Sequence, residues 1–220
     1  MRFGIPVGGS TTAGRLSLET WRALWRRLGA CSDPSLPHQE IARAYSQSHR
    51  HYHTLEHIAH ALALFDGARA SVRDADVAEL ALWLHDVVYD PRAKDNEARS
   101  AAYAARILHE GGLPSHVAER ATTIIMATRH VAPPDDPDAQ YVVDADLAIL
   151  GGTGAEFDRY ERQVRQEYAF RSEAEWREGR ARVLRGFLDR PRIYLTREFL
   201  RFEGPARANL ERSLRHLAAP

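Results

Sequence analysis

Apolar residues recur at intervals of three and four along most of the chain, which is the spacing of amphipathic helices. In the first part of the chain this pattern predicts four helices. Two of them have clear start signals, because Pro37 fits the first turn of a helix and Asp74 is a favourable N-cap. The predicted apolar stripes begin at Leu18, Pro37, Leu55 and Val77.

The second half of the chain has helix signals of the same kind. Two segments match the capping box, in which a Ser or Thr and a Glu three residues later satisfy each other's backbone amides. Gly111 and Gly112 follow a periodic segment and are predicted to end a helix. The predicted helix starts are Asp95 or Asn96, Pro114 with Ser115, Thr153, Ser172 and Pro205.

Two short segments are less regular. Residues 141–152 (YVVDADLAILGG) fit either a short strand or a buried helix, and a helix from Ala145 is favoured. Residues 192–196 suggest a short strand. As a whole, the pattern predicts an all-α fold, a single-domain helical bundle of about nine helices over residues 16–220, after a flexible start over residues 1–15.

The charges of the chain balance, with 30 Lys and Arg against 30 Asp and Glu. Because there is no basic field, nucleic acid is not expected as the main partner. No membrane association is expected either, since no apolar run is long enough for a signal segment or a membrane span. The single cysteine, Cys31, cannot form an internal disulfide, which favours a reducing, cytoplasmic location.

Residues 50–60 (RHYHTLEHIAH) contain four histidines. On a helix, His53, His57 and His60 would project from one face, which could bind a metal ion or be a solvated polar face. The segment also matches the inverted zinc-protease pattern H-x-x-E-H, in which Glu56 would activate water. This is the weaker interpretation, because the chain is small for that class of enzyme.

Acidic residues in apolar surroundings are the other candidates for chemistry. His85 and Asp86 end an otherwise apolar helix, where an unpaired charge is costly, so Asp86 needs a cation or an arginine beside it. Asp144 and Asp146 also have apolar neighbours. On a helix their side chains would point about 200° apart, so only one of them should face a site.

These motifs together resemble the HD superfamily of metal-dependent phosphohydrolases, and in particular a branch of uncharacterised predicted bacterial HD phosphohydrolases. The resemblance covers about residues 40–215, with its motif core at about residues 50–150, and rests on RHYHTLEHI, WLHDVVYDP, DNEARS, TRH, DADLAILG and EGPARANL. It implies an HD-type helical domain whose metal ligands are His57, His85, Asp86 and Asp146. Asp146 is preferred over Asp144 because Ala145-Asp146 matches the Ala-Asp of the family.

The resemblance also implies a function. A divalent ion (Mn, Fe, Co, Ni, Zn or Mg) would activate water for hydrolysis of a phosphate ester, expected to be a small nucleotide-like substrate. Glu97 is expected to act as general acid or base, and Lys94 and Arg99 as phosphate-binding cations. Arg50 and Arg165 are further candidate cations. Residues expected to contact the substrate or to support the ligands are His53, His130, Arg129 and Asp144.

Several points stay open at this stage. His130 could serve as an extra ligand, which leaves a second metal open, and His53 competes with His57 as the first ligand. The alternative function is a catalytically silent module that binds a metal or a nucleotide. A homodimer is also left open.

Overall fold

The computed structural model of the protein describes residues 14–218. The predicted flexible start over residues 1–15 therefore lies outside the described residues, except for its last two positions. Of these, Arg15 donates a hydrogen bond to the carbonyl oxygen of Leu62 at 2.9 Å.

Ten α-helices and no strand occur within residues 14–218, which confirms the predicted all-α, single-domain bundle. The helices are α1 (Leu18–Arg27), α2 (Ser35–Tyr45), α3 (Leu55–Ala68), α4 (Ala75–Leu84), α5 (Asn96–Glu110), α6 (Ser115–Ala127), α7 (Pro137–Asp146), α8 (Gly154–Glu167), α9 (Glu173–Leu188) and α10 (Glu203–Ala218). Short 3-10 helices cover Arg69–Ser71, Leu147–Gly151 and Leu200–Phe202. No helix among these residues combines the length and apolar character that a membrane span requires.

The two predicted capping boxes are confirmed. Thr153 and Ser172 each accept from the backbone amide three residues later, and the glutamate at that position accepts from the cap residue in return. The prolines mark their helices less sharply. α2 begins at Ser35 rather than at Pro37, and α10 at Glu203 rather than at Pro205, since proline is tolerated throughout a first turn.

The prediction for residues 141–152 was wrong in register. α7 begins at Pro137, where the side chain of Asp136 accepts from the amides of Asp138 and Ala139. It ends at Asp146, near where a helix was predicted to begin, and the chain continues as a 3-10 helix. The N-cap signal lay inside the Pro-Asp segment that looked like a loop.

Residues 192–196 do not form the predicted strand. Their amides are satisfied by side-chain carboxylates instead of by a neighbouring strand. Ile193 and Tyr194 donate to Glu203, and Leu195 and Thr196 donate to Asp144. The segment is therefore held in place without belonging to a sheet.

Helix α4 is the centre of the core. Every residue from 77 to 84 is at most 4% exposed, and the helix contacts α1, α3, α5, α6 and α7. A helix that is apolar on all sides must be surrounded by others. Its one buried charge, Glu79, is compensated by Arg27 and Arg69, each 2.6 Å away. Because α3, α4 and α7 all contact one another, their ends are brought together inside the bundle.

Gly151 packs closely against Phe202, so a larger residue at position 151 should destabilise the fold. A Cβ at this position would lie 2.6 Å from the Cβ of Phe202 and 2.7 Å from its carbonyl oxygen. Gly151→Ala is therefore expected to lower the free energy of unfolding by about 1–3 kcal/mol, measured by urea unfolding. Gly67→Ala is the matched control, because a Cβ there contacts nothing within 4 Å and alanine favours a helix by up to about 1 kcal/mol. Equal stability of the two variants would contradict the expectation.

Candidate metal centre

Three helix ends bring two histidines and an aspartate together. His57 lies in the first turn of α3, His85 directly follows α4, and Asp146 is the last residue of α7. The two imidazoles are 2% and 1% exposed, and the carboxylate is 13% exposed. The apolar character of α4 explains the burial, since this helix carries its C-terminus into the core.

The donor atoms of this cluster are spaced as ligands of one cation. His57 Nε2 lies 3.2 Å from His85 Nε2 and 3.1 Å from Asp146 Oδ1, and the last two atoms are 3.5 Å apart. A cation about 2.1 Å from each donor would leave the donors about 3.0–3.4 Å apart. These three residues form the one group of side chains within residues 14–218 that is spaced so that it could hold a metal ion.

The tautomer of His85 also fits a metal ligand. Its Nδ1 lies 3.0 Å from the carbonyl oxygen of Leu82, which can only accept, so Nδ1 carries the proton. Nε2 then presents its lone pair to the cluster in the neutral ring. A histidine held by a backbone carbonyl in this way is typical of metal sites.

Asp86 completes the cluster. Its Oδ2 lies 3.1 Å from His85 Nε2 and 3.7 Å from His57 Nε2, and its side chain is 14% exposed. Arg50 fixes the backbone here by donating to the carbonyl oxygens of Asp86 and Val87 at 2.7 and 2.9 Å. This arginine, predicted as a candidate cleft cation, is buried and supports the turn instead.

Charges within the cluster shift its pKa values strongly. Burial opposes a charged imidazole, but Asp86 and Asp146 raise the pKa of His85 well above its usual value. Burial likewise opposes charged carboxylates, but His85 and its neighbours hold the pKa values of Asp86 and Asp146 well below the usual range. Both carboxylates therefore stay ionised at neutral pH, and a divalent cation can take the place of the shared protons.

His53 reaches the site by a different route from the predicted one. It precedes α3, which begins at Leu55, so it lies on a turn rather than on the helix face of His57. Its Nδ1 lies 2.7 Å from Glu167 Oε2, and its ring stacks on Tyr89 with centroids 4.2 Å apart. Its Nε2 makes no hydrogen bond to any described residue, and the residue lines the adjoining cleft.

Glu167 contacts the site through His53, and the sequence did not reveal it. Its fully buried carboxylate accepts from the backbone amides of His51, Tyr52 and His53 at 2.8–3.0 Å, and from the Tyr89 hydroxyl at 2.8 Å. Burial alone would raise the pKa of Glu167, but the hydrogen bond and charge of His53 with the backbone donors lower it to about 2. A glutamate at the end of a highly charged helix looks like a surface residue in the sequence.

The zinc-protease interpretation is not supported by this geometry. Glu56, which would have to activate water, is exposed and pairs with Arg159 at 2.6 Å. His60, also predicted to share a metal-binding face, is half-buried on α3 and lies outside the cluster. Glu56 therefore lies on the outer face of α3, away from the buried His57.

Asp144 does not face the metal centre. It is fully buried and accepts from the amides of Leu195 and Thr196 and from the Thr196 hydroxyl at 2.6–3.0 Å. Burial raises its pKa to about 6, despite these donors. The predicted role in supporting ligands or substrate is thus replaced by a role in holding residues 192–196, as the separation of positions i and i+2 on a helix requires.

A cleft of about 1190 Å³ opens beside the cluster. Asp86 and Asp146 line it together with two cleft histidines, His53 and His130. Nε2 of His130 lies 2.8 Å from Asp146 Oδ2. The predicted residues Lys94, Glu97 and Arg129 also line it. Arg99 does not, because it lies two residues after Glu97 on α5 and is exposed on another face.

The opposite wall of the cleft comes from α9, which the sequence did not connect with the site. Arg180 lies there with its guanidinium paired to Glu161, and Trp176 and Phe187 add aromatic surface. Tyr52 and Tyr160 contribute further rings near His57. No signal in the sequence indicated this wall, since its residues alternate with exposed charges along an ordinary amphipathic helix. Arg165 lies outside the lining.

Metal binding gives the first prediction for the centre. His85→Ala is expected to weaken the binding of Co²⁺ or Zn²⁺ by more than about 100-fold, because a buried ligand is lost. Isothermal titration calorimetry measures the effect. His60→Ala is the matched control, since it removes a half-buried histidine of α3 outside the cluster. The same affinity in both variants would argue against the centre.

The buried carboxylate of Glu167 gives a prediction of pH dependence. Its pKa of about 2 is below the ordinary value of 4.5, so it stabilises the fold above about pH 4.5 and loses this effect as the pH falls towards 2. Glu167→Gln is expected to lower the free energy of unfolding by about 2–3 kcal/mol at pH 7, and by progressively less below pH 4.5.

Urea unfolding between pH 3 and pH 7 tests this expectation. Glu178→Gln serves as the control, because Glu178 is 76% exposed and its ion pair with Arg182 lies at the surface. A change within about 0.5 kcal/mol is expected for that variant at every pH. A loss in Glu167→Gln that does not change with pH would show that its carboxylate charge is unimportant.

Known proteins offer no guide to this centre. No protein-family model matches the chain, and neither does any curated protein or any solved structure. What the cluster can do therefore follows from its own donor atoms, charges and burial.

Proposed function

We propose that the protein is a metal-dependent hydrolase of a phosphate ester, of the HD type, which uses water activated by a divalent cation. The observation that carries this proposal is the cluster of His57, His85, Asp86 and Asp146 beside a large cleft. Its two imidazoles are buried, whereas its two carboxylates are partly exposed. A bound cation would thus be held from inside the core and would keep open positions towards the cleft.

The donor set narrows the choice of cation. Two imidazole nitrogens and two carboxylate oxygens suit a borderline divalent ion such as Mn, Fe, Co, Ni or Zn. Mg fits less well because it prefers oxygen ligands alone. When bound, such an ion lowers the pKa of a water ligand and polarises a phosphoryl oxygen.

Two unpaired cations in the cleft support a phosphorylated substrate. Among the described residues of the lining, the side chains of Lys94 and Arg129 have neither an ion-pair nor a hydrogen-bond partner. Arg190 also lacks an ion pair but donates to the carbonyl oxygen of His130, and Arg171, Arg180 and Arg182 each pair with a glutamate. A phosphate in the cleft would offer negative charge to both free side chains. Substrate phosphate is therefore expected between them and the metal.

The cleft also favours an organic group of nucleotide-like size. Its volume of about 1190 Å³ is somewhat larger than the range for small-molecule sites, about 300–1000 Å³, and leaves room for a nucleotide-sized group. The rings of Tyr52, Tyr160, Trp176 and Phe187 line it and offer faces or edges for stacking. A small nucleotide-like phosphate ester fits this combination of cations and rings.

Two residues compete for proton transfer to the leaving group. Glu97 is half-buried in the lining, as the sequence suggested. His53 is the better placed of the two, because Glu167 fixes its Nδ1 and leaves Nε2 towards the cleft. A histidine oriented by a carboxylate is a common general acid or base.

An activity assay tests the proposal. The purified protein with Mn²⁺, Co²⁺, Ni²⁺ or Mg²⁺ is expected to release phosphate from an aryl phosphate or from members of a nucleotide panel. Asp86→Ala should reduce this release to background, while His60→Ala should keep it. Metal binding without turnover on any substrate would instead indicate the silent metal- or nucleotide-binding module.

The same assay separates the two proton-transfer candidates. His53→Gln is expected to lower kcat by about 10²–10⁴-fold, the usual contribution of a general acid or base, while metal affinity stays near that of the wild type. Glu97→Gln should lower kcat by less than about 10-fold. The reverse order would assign the proton transfer to Glu97.

A further inference from the structure

His130 has an unusual backbone conformation for its residue type. Its φ is +55°, and it is the only residue other than glycine with a positive φ within residues 14–218. The position follows α6, and helices often end in this left-handed conformation at a glycine. The chain itself uses Gly29 and Gly112 after α1 and α5, with φ of +91° and +73°. The presence of a histidine instead of a glycine after α6 therefore requires a specific contact that compensates for the backbone strain.

The ring of His130 makes such a contact. Its Nε2 lies 2.8 Å from Asp146 Oδ2, while Oδ1 of the same carboxylate lies 3.1 Å from His57 Nε2. Because a carboxylate can only accept, Nε2 of His130 donates the proton. The two oxygens of Asp146 are thereby divided, with one held by His130 and the other turned to the metal ligands.

Besides the strained backbone, His130 has a second unfavourable feature. The other ring nitrogen of His130, Nδ1, is buried and has no hydrogen-bond partner. Buried polar atoms without partners are rare because they lose their hydration without compensation. The strained backbone and the unpaired nitrogen occur together with the one hydrogen bond that the ring makes, the bond to Asp146.

The end of α9 holds His130 in place. Arg190 donates to the carbonyl oxygen of His130, and its guanidinium lies 4.6 Å from the centroid of the Phe187 ring. Phe187 in turn meets the His130 ring edge-on, with centroids 6.1 Å apart. The left-handed turn is thus fixed from outside by a side chain that contacts neither Asp146 nor the other donors of the cluster.

We propose that His130 is a positioning residue that orients Asp146 as a ligand through Oδ1 alone, and that Arg190 holds His130 in the conformation this requires. The role rests on the metal binding proposed above. The rival is that His130 is itself a ligand of a second ion. The geometry favours positioning, because His130 contacts Oδ2 of Asp146, whereas His57 and His85 both face Oδ1 of the same carboxylate.

Three substitutions of His130 separate the ring contact from the backbone. His130→Gly relieves the backbone and removes the donor, His130→Ala keeps the strain and removes the donor, and His130→Gln keeps an amide donor of similar reach. Co²⁺ binding is measured by calorimetry, and its visible absorption spectrum reports the geometry of the ligands. The Gly and Ala variants are expected to bind Co²⁺ about 10–100-fold more weakly than the wild type, with unchanged stoichiometry and an altered spectrum.

The glutamine variant and the melting temperatures complete the test. His130→Gln should recover part of the lost affinity and a spectrum closer to that of the wild type. Without metal, His130→Gly should have a higher Tm than His130→Ala, because glycine adopts the left-handed conformation freely. A purely structural role would change the Tm but would leave the affinity and the spectrum unchanged.

Arg190 is tested in the same way. Arg190→Met is expected to weaken Co²⁺ binding in the wild-type background, and to have no further effect when combined with His130→Gly. Arg201→Met is the matched control, because Arg201 also lies over a ring, that of Phe202 at 4.8 Å, but is outside the cleft lining. Additive losses in the double variant would show that Arg190 does not act through His130.

The remaining outcomes are equally distinct. Wild-type affinity in His130→Gly and His130→Ala would overturn the positioning role while leaving the metal centre intact. Loss of one equivalent of Co²⁺ in these variants would make His130 a ligand and would also overturn it. Absence of Co²⁺ binding by the wild type would reject the metal centre itself, and with it both proposals.

Discussion

The convergence of two buried imidazoles and two partly buried carboxylates at one point is the constraint on which the rest of the structure depends. Polar groups in an apolar interior are tolerated only when each has a partner, and charged groups need a counter-charge. Helix ends are suitable places for them, because free backbone carbonyls such as that of Leu82 can fix an imidazole. α4 is apolar on every side, and for this reason its C-terminal His85 and Asp86 lie at the centre of the bundle.

Other buried carboxylates of the fold show how the cluster differs. Glu167 is surrounded by backbone amides, an imidazole N–H and a hydroxyl, and Asp144 by two amides and a hydroxyl. Asp138 accepts from the amides of Arg73 and Asp74 and from Arg120. Each of these groups has enough donors from the protein. Asp146 accepts one hydrogen bond from His130, but its Oδ1 and the Oδ2 of Asp86 face the Nε2 atom of His85, which carries only a lone pair in the neutral ring. A bound cation would compensate for this shortage of hydrogen-bond donors, because it would accept lone pairs from the carboxylates and the imidazoles together.

The sequence was sufficient for the helical architecture because that depends on local signals. Apolar spacing and capping boxes operate over a few residues, and the boxes at Thr153 and Ser172 formed as predicted. The two segments that were predicted wrongly failed for different reasons. The helix that covers residue 141 begins at a cap, Asp136, inside a segment that looked like a loop. Residues 192–196 form no strand because Glu203 and Asp144 satisfy their amides, and neither carboxylate is visible as a partner from the segment itself.

The same distinction applies to the site. His85, Asp86 and Asp146 lie in apolar segments where a polar residue is conspicuous, whereas His57 lies in a segment with four histidines and was chosen through the family resemblance. Glu167 and Arg190 could not be selected, because they lie in charged segments where one more charge is ordinary. Yet each of them fixes the backbone of a cleft histidine, Glu167 by accepting the amide of His53 and Arg190 by donating to the carbonyl of His130. The residues between 57 and 146 thus contain the donor atoms, whereas the helices that follow determine where the two cleft histidines stand. A centre built in this way depends on the whole bundle rather than on its motif-bearing half.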